Sequence, residues 1–270
     1  MNNVVPVAKR FTTRFFSKIP EVKCVLITGS IARGDCNPEK YGYSVDICLV
    51  HTNFEVIRCF EGINFEKFGR FINLIFENIN FTVEPLEKSW IIPFQDDMDS
   101  KYYALKESIM LNDKDGTWQE LIDMKLPLKW RINQINACFQ QSVYHINNYR
   151  ISKWLMNGNL VQCQLNLSDG FVFILKLLYL LNDVFIPRED YLLYLCKKLR
   201  WLPEAFMDKA SDALTVKEMT LKDILYRRKV MAGIILEIKA KISNDQLCIL
   251  DSEHTSQKIR LNFEDSELIV

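Results

Sequence analysis

At Pro127 the hydrophobic pattern of this 270-residue chain changes period. Before it, short β-branched apolar runs alternate with helical stretches and turn clusters. After it, apolar residues recur at helical spacing almost without interruption. Strand and helix periodicities bury different faces, so the two halves cannot share one layer. The pattern therefore predicts an α+β chain. A strand-and-helix domain covers 1–125 and an all-α bundle covers 126–242. A net acidic tail follows over 243–270, with strand-like runs at 247–250, 258–263 and 267–270.

Within the first half, Val7, Phe11, Phe15, Phe16 and Ile19 fall on one helical face, and Pro20 ends that helix. The runs Val22–Thr28 and Ser44–Val50 read as strands, separated by the turn cluster Asp35–Gly42. A helix is expected over 65–76. Phe81–Leu86 reads as a strand stopped by Pro85, and Ser108–Leu111 as a short strand before the turn at 112–116. Beyond Pro127, helices are expected over 128–156, 160–182, 189–199 and 218–242, punctuated by Asn157-Gly158 and Pro187.

Charge narrows the function. Lys+Arg and Asp+Glu are both 34 and the pI is about 6.8, which argues against a protein that coats nucleic acid. Eight cysteines form no CxxC pair, and several sit inside apolar runs, as small buried hydrophobes do. They point to a reduced, cytosolic protein. His51, His145 and His254 are scattered and show no zinc spacing. No signal-peptide pattern follows the N-terminal charges. The most apolar stretch, Phe171–Leu181, carries Lys176 and is short for a membrane span, so it reads as a buried helix.

The chemistry concentrates in residues 26–50, LITGSIARGDCNPEKYGYSVDICLV. A strand ends at Gly29-Ser30, where glycine permits close approach to the backbone. The Ser30 hydroxyl and neighbouring N–H groups can hold phosphate oxygens. Arg33 offers a planar, always-charged donor to the same phosphates. The following strand presents Asp46, with Ser44 on the same face.

This segment resembles the signature of the nucleotidyltransferase superfamily with a DNA polymerase β-like palm. The string Gly29-Ser30-Ile31-Ala32-Arg33-Gly34 is similar to that of the aminoglycoside and lincosamide nucleotidyltransferases. The helical run Asn159–Asn182 and Phe185-Ile186-Pro187 resembles their C-terminal helical domain. The resemblance implies a mixed-sheet palm followed by a helical acceptor-binding domain. It implies transfer of a nucleoside monophosphate, with AMP the expected group, from a triphosphate such as ATP to a hydroxyl of a small molecule or a protein. In such enzymes two carboxylates on one strand and a third on a neighbour hold two Mg²⁺.

Here the pattern departs from the family. The first Asp of the Asp-x-Asp pair is Ser44, a neutral ligand that cannot balance the charge of Mg²⁺. Asp46 remains as the catalytic and metal-binding carboxylate. The third carboxylate is either Glu84 or, if Thr82 holds that position, missing. Asp35 is a further acid on the adjoining loop. In the helical half, Asp169 and Lys176 lie two turns apart on one face, where they could act as base and phosphate contact. Read structurally, Asp169 is a helix N-terminal charge and Lys176 a snorkelling side chain. Two functions follow: a transferase impaired at its metal site, or a catalytically inactive relative that binds a nucleotide or a partner.

Overall fold

The computed structural model describes residues 4–35, 44–53, 65–68, 71–90, 99–245 and 247. The chain divides into two compact units, residues 1–125 and 126–270. The expected strands of the tail lie outside the described residues, as do Cys36, Cys59, Cys248, His254 and most of the Asp35–Gly42 loop. The mixed sheet and the many helices make this an α+β protein.

In the first unit the chain runs through helix α1 (Val4–Phe15), strand β1 (Val22–Ile27) and the short helix α2 (Gly29–Arg33). Strands β2 (Ser44–His51), β3 (Phe65–Phe68), β4 (Phe71–Phe76) and β5 (Ile79–Glu87) follow. Helix α3 (Asp99–Lys106), strand β6 (Ile109–Asp113) and helix α4 (Thr117–Asp123) complete it. Among the described residues the sheet order is β3-β4-β5-β2-β1-β6. The β2–β5 pair is parallel and the other pairs are antiparallel.

Alternation assigns the two faces. Val45, Ile47 and Leu49 of β2, Ile72 and Leu74 of β4, and Phe81 and Val83 of β5 point into one core. Helix α1 covers that face with Val4, Val7, Ala8 and Phe11. The Phe11 ring stacks on Phe81 at 4.3 Å and meets Phe15, Phe16 and Phe76 edge-on. Such aromatic pairs add about 0.5–1.5 kcal/mol each beyond the area they bury. Because successive strand residues face opposite ways, Ser44, Asp46, Asn73, Thr82 and Glu84 share the other face.

In the first unit two sequence expectations are corrected. Phe65–Phe68 and Phe71–Phe76 form strands where a helix is expected. The β4–β5 hairpin turns on Glu77 and Asn78, both with positive φ (48° and 61°). This is the backbone of a two-residue primed turn, without the glycine that usually marks one. Arg10 donates to Glu77 from both Nε (3.0 Å) and Nη2, anchoring α1 to that turn. Strand β5 also runs through Pro85 instead of stopping there. Its pairing with β4 ends at Val83, so Pro85 lies where β4 no longer needs a donor.

The second unit comprises α5 (Leu128–Ile146), α6 (Asn148–Met156), α7 (Leu160–Leu181), α8 (Leu192–Cys196), α9 (Phe206–Leu214) and α10 (Leu221–Asn244). The expected helix over 128–156 breaks at Asn147, whose side chain accepts from the Arg150 backbone N–H at 2.8 Å and caps α6. Asn159 caps α7 in the same way through Gln162 N–H at 3.0 Å. The region 189–199 shrinks to a 3₁₀ turn at Glu189–Tyr191 and α8, and α9 was not anticipated.

Helix α7 is the bundle's central element, packed against α5, α6, α8 and α10. The apolar stretch Phe171–Leu181 is its second half. The whole helix has 22 residues, long and apolar enough to cross a membrane, and most of that span is buried inside the unit. Gly170 lets α5 come close: a Cβ there would stand 2.8 Å from Ile146 Cγ2 and 3.1 Å from His145 Cβ. Two arginines of α10 are buried. Arg227 pairs with Asp223 at 2.8 Å and bonds Gln164 on α7, while Arg228 donates to the Ile146 carbonyl at the end of α5.

Candidate functional site

The site is built where β1 hands over to α2. β1 ends at Ile27 and the chain turns through Gly29, whose φ of +70° suits glycine. The Thr28 N–H donates to the Asp46 carbonyl at 2.9 Å, tying the turn to β2. A Cβ on Gly29 would overlap Asp46 Oδ2 and stand 3.3 Å from its Cγ. The Asp46 carboxylate therefore occupies the space that the missing side chain leaves. Gly29 and Asp46, 17 positions apart in the chain numbering, form one local unit. Ser30 lies half-buried in the first turn of α2, and Gly34 (φ 75°) closes that helix.

Across the sheet the polar face continues from Asp46. The parallel register sets Asp46 opposite Thr82, and the antiparallel register sets Thr82 opposite Asn73. Ser44 Oγ lies 2.6 Å from Thr82 Oγ1, and Thr82 Oγ1 donates to Asn73 Oδ1 at 2.9 Å. Two hydroxyls and an amide thus stand beside Asp46.

Glu84 is placed one step further along. It lies opposite Cys48, and its carboxylate is ion-paired with Lys101 of α3. Among the described residues no group of three His, Cys, Asp or Glu side chains could hold a metal ion. The donor set does not fit a resident pair of Mg²⁺, because neutral hydroxyls supply no charge against the cations.

Arg33 is turned inward. Its Nε donates to Asp35 at 2.7 Å and lies 3.9 Å from Glu107, and its side chain is 7% exposed. The Asp35 N–H donates in turn to the Ser30 carbonyl at 2.9 Å. Tyr103 donates its hydroxyl to Glu107 at 3.0 Å; burial, then the nearby Glu107 carboxylate, raises its pKa above the ordinary phenol value. These contacts make Arg33 the centre of an ion-pair cluster that braces α2. The same contacts commit Asp35 to Arg33.

Asp169 and Lys176 belong to the second unit. Asp169 is exposed and lies well inside α7, which begins at Leu160, so it is not an N-terminal charge. Lys176 Nζ pairs with Glu189 at 2.7 Å and sits 5.6 Å from the Phe173 ring centroid.

Sequence reasoning singled out Gly29, Ser30, Ser44 and Asp46, which the fold gathers on adjoining elements. It missed Asn73 and Glu107. The alternation in Phe71–Phe76 could have found Asn73, since Ile72 and Leu74 are core and Asn73 must face the other way. Nothing local marks Glu107. Among solved structures the chain is similar to a nucleotidyltransferase-like protein from Exiguobacterium sibiricum 255-15. The identity is 8%, the alignment covers 90% of this chain and 76% of that one, and the TM-score is 0.49. No family model matches the chain, and no curated protein matches it significantly.

Proposed function

We propose that this chain is a nucleotidyltransferase-like protein that binds a nucleoside triphosphate, without the carboxylates that two-metal transfer needs. One observation carries the reading: where the resemblance calls for three carboxylates, Ser44 and Thr82 are hydrogen-bonded to each other beside Asp46. The GSIARG string and the Gly29–Asp46 contact supply the rest of the frame. Two Mg²⁺ would bring four positive charges to a face that offers one negative one at these positions. In this reading Mg²⁺ arrives only with the nucleotide, and transfer of AMP to a small-molecule or protein hydroxyl is lost or severely weakened.

Calorimetric titration with a non-hydrolysable ATP analogue, with and without Mg²⁺, tests this together with pyrophosphate release from ATP. The expected result is binding that changes little with Mg²⁺ and no release. Sustained Mg²⁺-dependent release would establish an active transferase instead. No binding in either condition would remove the nucleotide from the reading.

A further inference from the structure

We infer that Thr82, rather than Glu84, stands at the third position of the polar face, and that the Ser44–Thr82–Asn73 hydrogen-bond chain replaces a divalent cation as the link across β2, β5 and β4. The inference rests on the reading above only for the expectation of three ligand positions. The register and the bonds are independent of it.

Register and ion pairing together decide the position. Neighbouring strands lie about 4.8 Å apart, and residues opposite one another on one face are the closest side-chain neighbours a sheet provides. Thr82 is opposite Asp46 and shares its face. Glu84 is two residues further along, the same offset that separates Thr82 from the residue opposite Ser44, so its ion pair and not its distance takes it from Asp46. Its carboxylate is engaged by Lys101, with the two side chains 14% and 21% exposed. Bringing Glu84 to Asp46 would strip a half-buried lysine of that partner.

The hydrogen-bond chain shows what fills the gap. Thr82 donates to Asn73 Oδ1, so its proton is committed. The Ser44 hydroxyl then supplies the proton for the 2.6 Å contact with Thr82 Oγ1, in preference to the Asn80 carbonyl at 3.4 Å. The chain runs in one direction, Ser44 to Thr82 to Asn73, and joins three strands. A metal bridges strands by neutralising carboxylates; here each hydroxyl proton does that joining with no charge to neutralise. Substituting the ligands would therefore leave the face closed rather than frayed.

The test is a titration of the full chain with Mn²⁺ alone, which favours the same oxygen ligands, followed by calorimetry and by the paramagnetic resonance of free Mn²⁺. The natural protein is expected to show no binding that Thr82→Val or Asp46→Asn alters. The double variant Ser44→Asp/Thr82→Asp is expected to bind Mn²⁺ at least about tenfold tighter, since carboxylate count sets affinity at such sites. Adding Glu84→Gln to Ser44→Asp is expected to change nothing.

The inference is overturned if Ser44→Asp alone binds as tightly as the double variant and Glu84→Gln abolishes that binding. It also falls if the folded double variant binds no better than the natural protein, or if the natural protein loses Mn²⁺ binding on Thr82→Val. Should the double variant not fold, the comparison of Ser44→Asp with Ser44→Asp/Glu84→Gln decides alone. Binding lost with Glu84 overturns the assignment; binding absent or unmoved sustains it. No nucleotide is present in these titrations, so their failure and a failure of the nucleotide-binding reading are separate results.

Discussion

Replacing Gly29 with alanine tests whether Asp46 and the turn form one unit. Two costs are expected. Alanine at φ +70° pays the left-handed penalty, about 1–2 kcal/mol. Its Cβ also overlaps Asp46 Oδ2, so the carboxylate must leave its rotamer, at about 1 kcal/mol more. The total is about 2–3 kcal/mol. Gly116 is the internal control. It has φ +79°, it belongs to the same unit, and a Cβ there meets nothing within 4 Å. Gly116→Ala should show the backbone penalty alone.

Urea unfolding, followed by hydrogen exchange of β1 and β2 peptides, reads this unit apart from the helical one. A gap of about 1 kcal/mol between the variants corresponds to about 0.5 M in the urea midpoint at ordinary slopes. In an Asp46→Ala background the cost of Gly29→Ala should fall to that of Gly116→Ala, a coupling that a double-mutant cycle resolves. Equal costs for the two glycines in the natural background would refute the contact. An unchanged Gly29→Ala cost without Asp46 would do the same.

In the helical unit, Gly170→Ala should destabilise by about 1 kcal/mol in thermal unfolding, because overpacking against Ile146 outweighs the helix propensity gained. Gly233→Ala in α10, where a Cβ meets nothing within 4 Å, should stabilise by about 0.5–1 kcal/mol in the same assay. Burial pushes the Cys24 thiol up and raises that of Cys196 to about 11. Peptides carrying Cys24 and Cys196 should therefore escape iodoacetamide at pH 8 in the folded protein and label fully in urea. Burial of His51 lowers its pKa below the ordinary 6.5. The unfolded chain then binds the extra proton first, so stability rises with pH through this window. The His51 contribution is complete above about pH 6.5 and is lost as pH falls toward the depressed folded value. His51→Leu should flatten the urea midpoint between pH 7.5 and 5.5; an unchanged slope would place the titration elsewhere.

What was legible in the sequence followed from period and punctuation. β1 and β2 were readable because each is a β-branched apolar run bounded by turn residues, and both are buried on the helix-covered face. α1 was readable because its aromatic residues recur at helical spacing. The segment 65–76 misled because phenylalanines at 65, 68, 71 and 76 also fit a helical face. The strand period was carried by Ile72 and Leu74, and the hairpin turn Glu77-Asn78 lacked glycine. Arg10, some 67 residues away, holds that turn, and no local pattern reports so distant a partner. The break at Asn147 was invisible for a related reason. It depends on one side-chain cap in a sequence with neither proline nor glycine there.

The site divides along the same line. Gly29, Ser30, Ser44 and Asp46 could be named because they sit at fixed distances from two recognisable strands. Their partners on β4 and β5 could not be ranked, because ranking needs register, and register is set by the β2–β5 pairing of distant segments. A shift of one residue would have turned Thr82 away from Asp46 and brought Phe81 or Val83 to that face. The burial of Phe81 against Phe11 forbids such a shift. The apolar core on one side of the sheet thus decides which polar residue stands beside Asp46 on the other. Arg33 shows the same limit. Its residue type and position mark it as a phosphate contact, but the acids that brace it, Asp35 two residues on and Glu107 in the connection between α3 and β6, could not be assigned to it from the sequence. The partners of a charged side chain are set by the acids the tertiary structure brings to it, and local spacing does not report an acid as distant in the chain as Glu107.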